Sequence, residues 1–213
     1  MTRSAIALFA AVSLCACHQI EGGPELSETR TVAAFTRVAI EDGLTATLSP
    51  GAAQVTLNAP EKVVANLVTE VKSGVLVVRL KPNVIVTSLD STEIVITGEG
   101  LQSAEASGAS KLTVTGVTAS PFRATASGAS TLIVSGTSTD ARLNASGAST
   151  LTAAELLAES ASVEATGAST LSLTASKSVE GIASGASHVV IGGTTTDVYI
   201  SATGGSVVTD APK

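Results

Sequence analysis

Residues 141–151 read ARLNASGASTL, and the Ala-Ser-Gly-Ala-Ser at their centre recurs throughout the second half of this 213-residue chain. Identical or closely similar copies occupy residues 106–110, 126–130, 145–149, 165–169, 183–187 and 202–206. Their central glycines lie 18 to 20 residues apart, at Gly108, Gly128, Gly147, Gly167, Gly185 and Gly204. A repeat of this length is typical of a solenoid, in which each coil buries its apolar side against its neighbours. The repeat therefore predicts a stack of coils over residues 106–206.

Apolar and polar residues alternate on both sides of each glycine, which predicts β-strands, because successive side chains of a strand point to opposite faces. The positions two, four and six residues before the glycine, and four and six residues after it, are mostly apolar and are expected to point inward. In the copy quoted above they are Ala141, Leu143, Ala145, Leu151 and Ala153. Each coil is thus expected to contain two strands joined by a corner at Ser-Gly-Ala-Ser, with equivalent residues stacked in parallel register. Asp210 breaks the inward pattern, so the solenoid is expected to end near Val208.

The Ser-Gly-Ala-Ser corner combines a glycine with two hydroxyl side chains. Glycine suits a corner that needs an unusual backbone angle or a close approach to the next coil. The serines are expected to form ladders whose hydroxyls bond one another or the backbone of the corner.

The first half of the chain also predicts β-structure. Strands are expected at residues 35–40, 46–48, 55–57, 67–71 and 75–80, separated by turn signals. The segment from Val63 to Leu80 has the pattern of a hairpin that turns at Lys72-Ser73-Gly74. Because no linker separates the halves, we predict one all-β domain over residues 32–208. Its expected architecture is a parallel β-solenoid with two strands per coil, preceded by a β-rich N-terminal half.

The composition is aliphatic and acidic. Hydrophobic residues make up 44% of the sequence and aromatic residues only 2%, and the formal net charge is −6. Small aliphatic side chains therefore have to fill a thin core. The acidic balance and the scarcity of aromatic stacking platforms exclude nucleic acid as an expected partner. No metal or other cofactor is predicted, because His188 occupies an outward position and no second histidine lies at ligand spacing.

The N-terminal residues predict an exported protein. Residues 1–16 join the positive charge of Arg3 to an apolar run from Ala5 to Val12, which is typical of a signal peptide and too short to span a bilayer. The run ends in Leu14-Cys15-Ala16-Cys17, which is similar to a bacterial lipobox. We therefore predict cleavage before Cys17 and lipidation of Cys17.

Several acyl chains on one residue, palmitate among them, would anchor the protein stably in a membrane, whereas one chain binds only marginally. His18 stands where an aspartate would favour the inner membrane, which implies the outer membrane of a Gram-negative bacterium, with the domain in the periplasm or at the surface. Residues 17–31, which include Gly22-Gly23-Pro24, are expected to form a lipidated flexible tether.

The order of these elements resembles a known family, the auto-transporter adhesin head GIN domain of exported bacterial proteins and lipoproteins. The matching features are Phe35–Ile40, Leu44–Leu48, Pro50-Gly51, Val55–Leu57 and Val75–Leu80, followed by the repeated Ser-Gly-Ala-Ser. The resemblance extends over residues 35–206. It implies a right-handed parallel β-helix-like fold, a surface or periplasmic setting and an adhesive role, and it brings no catalytic motif.

The preferred functional hypothesis is a non-catalytic protein that binds a glycan, a protein or another copy of itself. The alternative is a carbohydrate-active enzyme on a β-helix scaffold, for which the candidate residues are Arg123, Arg142, Glu164 and Glu180. Arg123 and Arg142 are expected to stack in adjacent coils, bracketed by Ser103 and Ser162, with Glu180 two coils beyond Arg142. Two stacked arginines of this kind are more typical of a solvated face, with Asp140 as a neighbouring counter-charge.

An ice-binding surface is a third alternative, suggested by rows of hydroxyl side chains. Thr131, Thr150 and Thr170 are expected to stack on one face, with a second row of Thr113, Thr152 and Ser172 beside them. Lys111, Ile133, His188 and Val190 interrupt these rows, so an ordinary polar sheet face accounts for the same pattern.

Overall fold

The computed structural model describes residues 18–20 and 22–211 of the chain. The predicted signal peptide and the predicted lipidation site, Cys17, lie outside these residues. The fold is almost entirely β, with 63% strand and 2% helix, and it contains a β-solenoid of about five turns. No helix within the described ranges is long and apolar enough to cross a membrane.

The N-terminal half contains nine strands and one short helix. They are β1 His18–Ile20, β2 Glu25–Thr31, β3 Arg37–Ile40, β4 Thr45–Ser49, β5 Gln54–Pro60, α1 Glu61–Val64, β6 Leu67–Lys72, β7 Val75–Leu80, β8 Val84–Val86 and β9 Glu93–Thr97. The repeats form the remaining strands, β10 Ser103–Ala106, β11 Lys111–Val117, β12 Phe122–Ala126, β13 Thr131–Ala145, β14 Thr150–Ala165, β15 Thr170–Ala183, β16 His188–Gly193, β17 Asp197–Ala202 and β18 Val207–Asp210.

Two sheet faces enclose the core of the solenoid. The first face contains β3, β7, β10, β12, β17 and the C-terminal parts of β13, β14 and β15. The second face contains β4, β9, β11, β16, β18 and the N-terminal parts of the same three long strands. Equivalent residues pair in parallel register, as in Leu143 with Val163. The predicted β-solenoid is therefore confirmed.

The Ser-Gly-Ala-Ser corner holds adjacent coils together. Gly147 has φ of +76°, and a Cβ placed on it would lie 2.6 Å from the carbonyl oxygen of Gly128 in the preceding coil. Ser149 is 1% exposed, and its hydroxyl donates a hydrogen bond of 3.0 Å to the carbonyl oxygen of Ala126. The second serine therefore bonds the corner backbone, which is one of the two predicted roles. The equivalent donors are Ser130, Ser169, Ser187 and Ser206.

Four strands of the N-terminal half, β3, β4, β7 and β9, are part of the solenoid stack. Strands β3 and β4 form a level that pairs with β10 and β11 on one side and with β7 and β9 on the other. The chain thus forms the inner level of β3 and β4 first and then the outer level of β7 and β9. It next crosses back over the inner level to begin the repeats at β10. Asp42 makes the corner of the β3 and β4 level, with φ of +61° where the repeats have glycine.

Antiparallel strands cover the N-terminal end of the solenoid. On the first face β6 pairs with β7, and on the second face β5 pairs with β9 and β2 with β5. The structure corrects the tether predicted for residues 17–31, because Glu25–Thr31 forms β2 in full register with β5. Its residues are mostly polar, as an edge strand allows, so the sequence carries little strand signal there.

The hairpin predicted over residues 63–80 is confirmed for Leu67–Leu80 and needs one correction. Val63 and Val64 belong to α1, where both side chains are buried in the hydrophobic core. The core is aliphatic as expected, with Phe35 and Phe122 as its buried aromatic side chains. Gln102 takes an inward position of the repeat alignment but is exposed, because β10 begins only at Ser103.

The C-terminal end of the solenoid is open within the described residues. Strands β17 and β18 pair only with the preceding coil, through β15 and β16. Val198, Tyr199 and Val207 are exposed there. The two ends of the stack therefore differ, since one is covered by antiparallel strands and the other ends in parallel strands with exposed apolar side chains.

Candidate functional site

A row of arginine side chains crosses the outer surface of the first face. Parallel register places Arg37, Ser103, Arg123 and Arg142 at equivalent positions in successive levels, and we call these four residues the arginine stripe. The row continues with Ser162, Glu180 and Tyr199. The predicted stacking of Arg123 on Arg142, its bracketing serines and the position of Glu180 all agree with this register.

Arg37 is the member of the stripe that the sequence analysis missed. It precedes Ser103 by 66 positions in the chain, outside the repeats, and only the crossover places it beside β10. One sequence pattern could have indicated that Arg37 belongs to the row. The alternation in Arg37–Ile40, followed by Asp42-Gly43, has the spacing of a repeat strand and its corner.

The arginines line an open groove of about 430 Å³. Ser103, Gln102 and Glu105 contribute to its walls. The arginine side chains are exposed, whereas the strands beneath them belong to a rigid parallel sheet whose inward residues are buried. Levels of such a sheet are about 4.8 Å apart, so Arg37 and Arg142, three levels from each other, span about 14 Å.

The three stripe arginines have no carboxylate partner within the part of the chain that the structure describes. Arg37 donates a hydrogen bond of 2.6 Å from Nη2 to the carbonyl oxygen of Ser73. Arg123 donates one of 3.1 Å from Nη1 to the side-chain oxygen of Asn144 in the amide orientation that satisfies both amide atoms. Both acceptors are neutral, so they orient the guanidinium groups without cancelling their charge.

The other two described arginines are both engaged by glutamates. Arg30 Nε lies 2.5 Å from Glu28 Oε1, and Arg79 Nη2 lies 3.9 Å from Glu70 Oε1. The hydrogen bond from Lys72, together with the charges of Lys72 and Arg79, lowers the pKa of the Glu70 carboxyl below its usual value. Asp140 forms no ion pair with Arg142 among the described contacts, so the expected counter-charge is not in place. Unneutralised arginine charge is therefore concentrated on one stripe.

The four candidate residues of the enzyme hypothesis are only partly brought together. Arg123 and Arg142 are adjacent, but Glu180 lies two levels from Arg142, and Glu164 belongs to the neighbouring row, in register with Asn144 and Ile182. All four side chains are exposed on an open sheet. Within the described residues there is no group of three or more His, Cys, Asp or Glu residues that could hold a metal ion.

The second face carries the rows of hydroxyl groups that the sequence predicts. Thr131, Thr150 and Thr170 stack in register, and the structure adds Thr45 beyond Lys111 at the N-terminal end of the row. Lys111 and His188 bound the threonine row, and His188 Nε2 lies 3.1 Å from Thr209 Oγ1. His188 is thus a surface residue, as predicted.

A second groove, of about 550 Å³, follows the side of the solenoid opposite the Ser-Gly-Ala-Ser corners. Hydroxyl side chains such as Thr137 and Thr174 line it, together with Leu157, which is 59% exposed. Glu159 in its wall is neutralised by an ion pair with Lys177. This groove therefore carries little net charge, in contrast to the arginine stripe.

These features define a parallel β-solenoid with two polar outer faces, one of them locally basic. Residues 34–195 match the family described as "Putative auto-transporter adhesin, head GIN domain", and the chain belongs to that family. This result confirms the resemblance drawn from the sequence. No protein of curated function matches the chain.

Solved structures of low sequence identity share the fold. A putative adhesin from Bacteroides fragilis NCTC 9343 is 16% identical, with a TM-score of 0.73 over 88% of this chain and 97% of the other. A putative lipid binding protein from Parabacteroides distasonis ATCC 8503 is 16% identical, with a TM-score of 0.52 over 91% and 100% of the two chains. A putative adhesin from Parabacteroides merdae ATCC 43184 is 11% identical, with a TM-score of 0.53 over 92% and 100%.

Proposed function

We propose that this protein is a non-catalytic, adhesin-like binding module of the bacterial cell envelope. It is anchored by lipid on Cys17 and binds a glycan or a protein through the outer surface of its solenoid. The observation that carries the binding role is the arginine stripe, an exposed row of unneutralised charge on a rigid sheet of a family described as adhesins. A rigid sheet favours binding because its side chains are already aligned, so less conformational entropy is lost on contact.

The proposed anchor is compatible with the way the domain begins. Strand β1 starts at His18, next to Cys17, and pairs with β8, and β2 then lies at the covered end of the stack. A lipid on Cys17 would hold that covered end near the membrane and direct the open end away from it. The arginine stripe begins near the covered end, at Arg37, and extends away from it.

Membrane fractionation tests the anchor. Cells producing the Cys17→Ala chain are expected to lose it from the membrane fraction, because the sulfur that carries the lipid is absent. Cys15→Ala is the matched control, since it removes the other cysteine and keeps the attachment point, and it should stay with the membranes. Retention of the Cys17→Ala chain in the membrane fraction would refute the lipid anchor.

Protease accessibility and a turnover assay test the binding role. If the domain is a surface adhesin, protease added to intact cells should degrade it, whereas protection would limit it to a periplasmic binding role.

Incubation of the protein with a panel of polysaccharides should leave the chain length of the polysaccharides unchanged. Cleavage that disappears in the Arg142→Ala variant would replace the proposed role with the enzymatic alternative.

A further inference from the structure

We propose that the arginine stripe binds a linear acidic polysaccharide, with its carboxylate or sulfate groups on Arg37, Arg123 and Arg142. The inference rests on the proposed binding function and names the class of ligand that the same surface takes. Arginine is suited to this role because its planar guanidinium bonds carboxylate and sulfate oxygens through two parallel hydrogen bonds.

The distribution of charge favours an anionic ligand on the stripe. The protein is acidic overall, with a net charge of −6, and the acidic groups Glu164 and Glu180 lie beyond the Arg142 end of the stripe. At physiological ionic strength exposed charges are largely screened beyond about 8 Å, so a ligand on the stripe experiences mainly the nearby arginines. Two exposed arginines stacked one level apart repel each other, and an anion bound between them would relieve this repulsion.

The shape of the stripe indicates a chain rather than a small anion. The groove is open, and its charges are spread over about 14 Å along the solenoid axis, from Arg37 past Ser103 to Arg142. One small anion can contact one or two of these groups, whereas a polymer with several acidic groups can contact all three. Several weak contacts on one chain then add through effective concentration.

The neutral groups beside the arginines favour a sugar polymer. Ser103, Gln102 and Asn144 offer hydroxyl and amide groups that match the hydroxyl groups of a glycan. The stripe itself carries no aromatic side chain on which nucleic-acid bases could stack, and Tyr199 lies three levels beyond Arg142.

Glu105 sets a limit on the affinity. It is exposed in the wall of the same groove, on the level between Arg37 and Arg123, and forms no ion pair among the described contacts. Its carboxylate repels an acidic ligand there. Removing this charge should therefore strengthen binding, in contrast to removal of the arginines.

The test measures binding of the full-length chain, purified in detergent, to immobilised polygalacturonate and heparin, with neutral dextran as reference. Arg123→Gln combined with Arg142→Gln should weaken binding by about tenfold or more, and added salt should weaken binding of the unaltered chain. Lys62→Gln combined with Lys111→Gln removes the same charge from surfaces outside the stripe and should change binding by less than about twofold.

Three outcomes would overturn the assignment. They are binding to the acidic polymers no stronger than to dextran, equal losses in the arginine and lysine variants, and arginine-dependent binding to phosphatidylglycerol vesicles with none to either polymer. The protease and fractionation experiments test the envelope location independently of the ligand. If the protein is membrane-bound but does not bind the acidic polymers, the proposed ligand class is refuted and the proposed envelope function is not.

Discussion

The Ser-Gly-Ala-Ser corner and the arginine stripe belong to the same coils, yet they vary in opposite ways. At the corner almost the same residues return in each coil, the serine hydroxyl is buried, and the glycine leaves no room for a side chain. Along the row that contains the stripe the residue changes from level to level, from arginine to serine and, beyond the stripe, to glutamate, and the side chains are mostly exposed. The repeat therefore maintains the fold, and the departures from it create the candidate binding surface.

The largest expected effect on stability is at the corner glycine. Gly147→Ala should destabilise the fold by about 3 kcal/mol or more, because the new methyl group meets the carbonyl oxygen of Gly128 at 2.6 Å in addition to the backbone strain of a positive φ. Gly74→Ala is the matched control, since Gly74 has nearly the same φ, +75°, and nothing lies within 4 Å of its added Cβ.

Urea unfolding followed by circular dichroism compares the two variants. Gly74→Ala should show only the strain, about 1 to 2 kcal/mol. Equal losses at the two positions would mean that the contact between coils is unimportant and would remove the contrast between corner and stripe.

A smaller effect is expected at the buried serine of the corner. Ser149→Ala removes the hydrogen bond to Ala126, whose carbonyl oxygen still accepts one from the backbone N–H of Ser146 at 2.9 Å. The carbonyl is therefore not left unpaired, and the cost should be about 1 kcal/mol. Ser162→Ala, on the exposed row of the first face, should change the free energy of unfolding by less than about 0.5 kcal/mol. A thermal unfolding series checks both variants, and a cost at Ser162 matching that at Ser149 would contradict the comparison.

The stripe arginines should have the smallest effect on stability. Arg123→Gln combined with Arg142→Gln is expected to change the free energy of unfolding by less than about 0.5 kcal/mol, because neither side chain has an ion pair among the described residues. Urea unfolding of the double variant measures this directly. A loss comparable to that of Ser149→Ala would show that the stripe is part of the framework.

Glu105→Gln gives the smallest predicted change in binding. Loss of this one exposed carboxylate should strengthen retention on polygalacturonate by about two- to threefold, as expected for a screened surface charge. Titration of the immobilised polymer with the variant measures the change. Weaker binding of the variant would place Glu105 among the ligand contacts and would contradict its assigned role.

Much of the repeat region was predictable because one physical constraint recurs there. The inward positions, the corner and the stacking of Arg123 on Arg142 all follow from a period of 18 to 20 residues and the alternation of strand side chains. The sequence allowed two roles for the corner serines, bonds to one another or to the backbone, and the structure shows the backbone bond for Ser149.

The N-terminal half was less predictable because its pairings are not local. Nothing in the spacing of Arg37 and Ser103 indicates that β3 lies beside β10, since the chain forms β4 to β9 between them. The residues of β2 are mostly polar, so they lack the alternation that would predict a strand. Helix α1 is too short for a helical period to appear in the sequence. The candidate site was therefore found in part, with two of its three arginines.

Binding of the Arg37→Gln chain to polygalacturonate is the decisive measurement for the stripe as a binding surface, because only the crossover places Arg37 on it. This variant should lose affinity about as much as Arg123→Gln alone, while its urea unfolding midpoint stays within error of the unaltered chain. Unchanged affinity in Arg37→Gln, alongside a clear loss in Arg123→Gln, would contradict a binding surface that extends from β3 across the repeats.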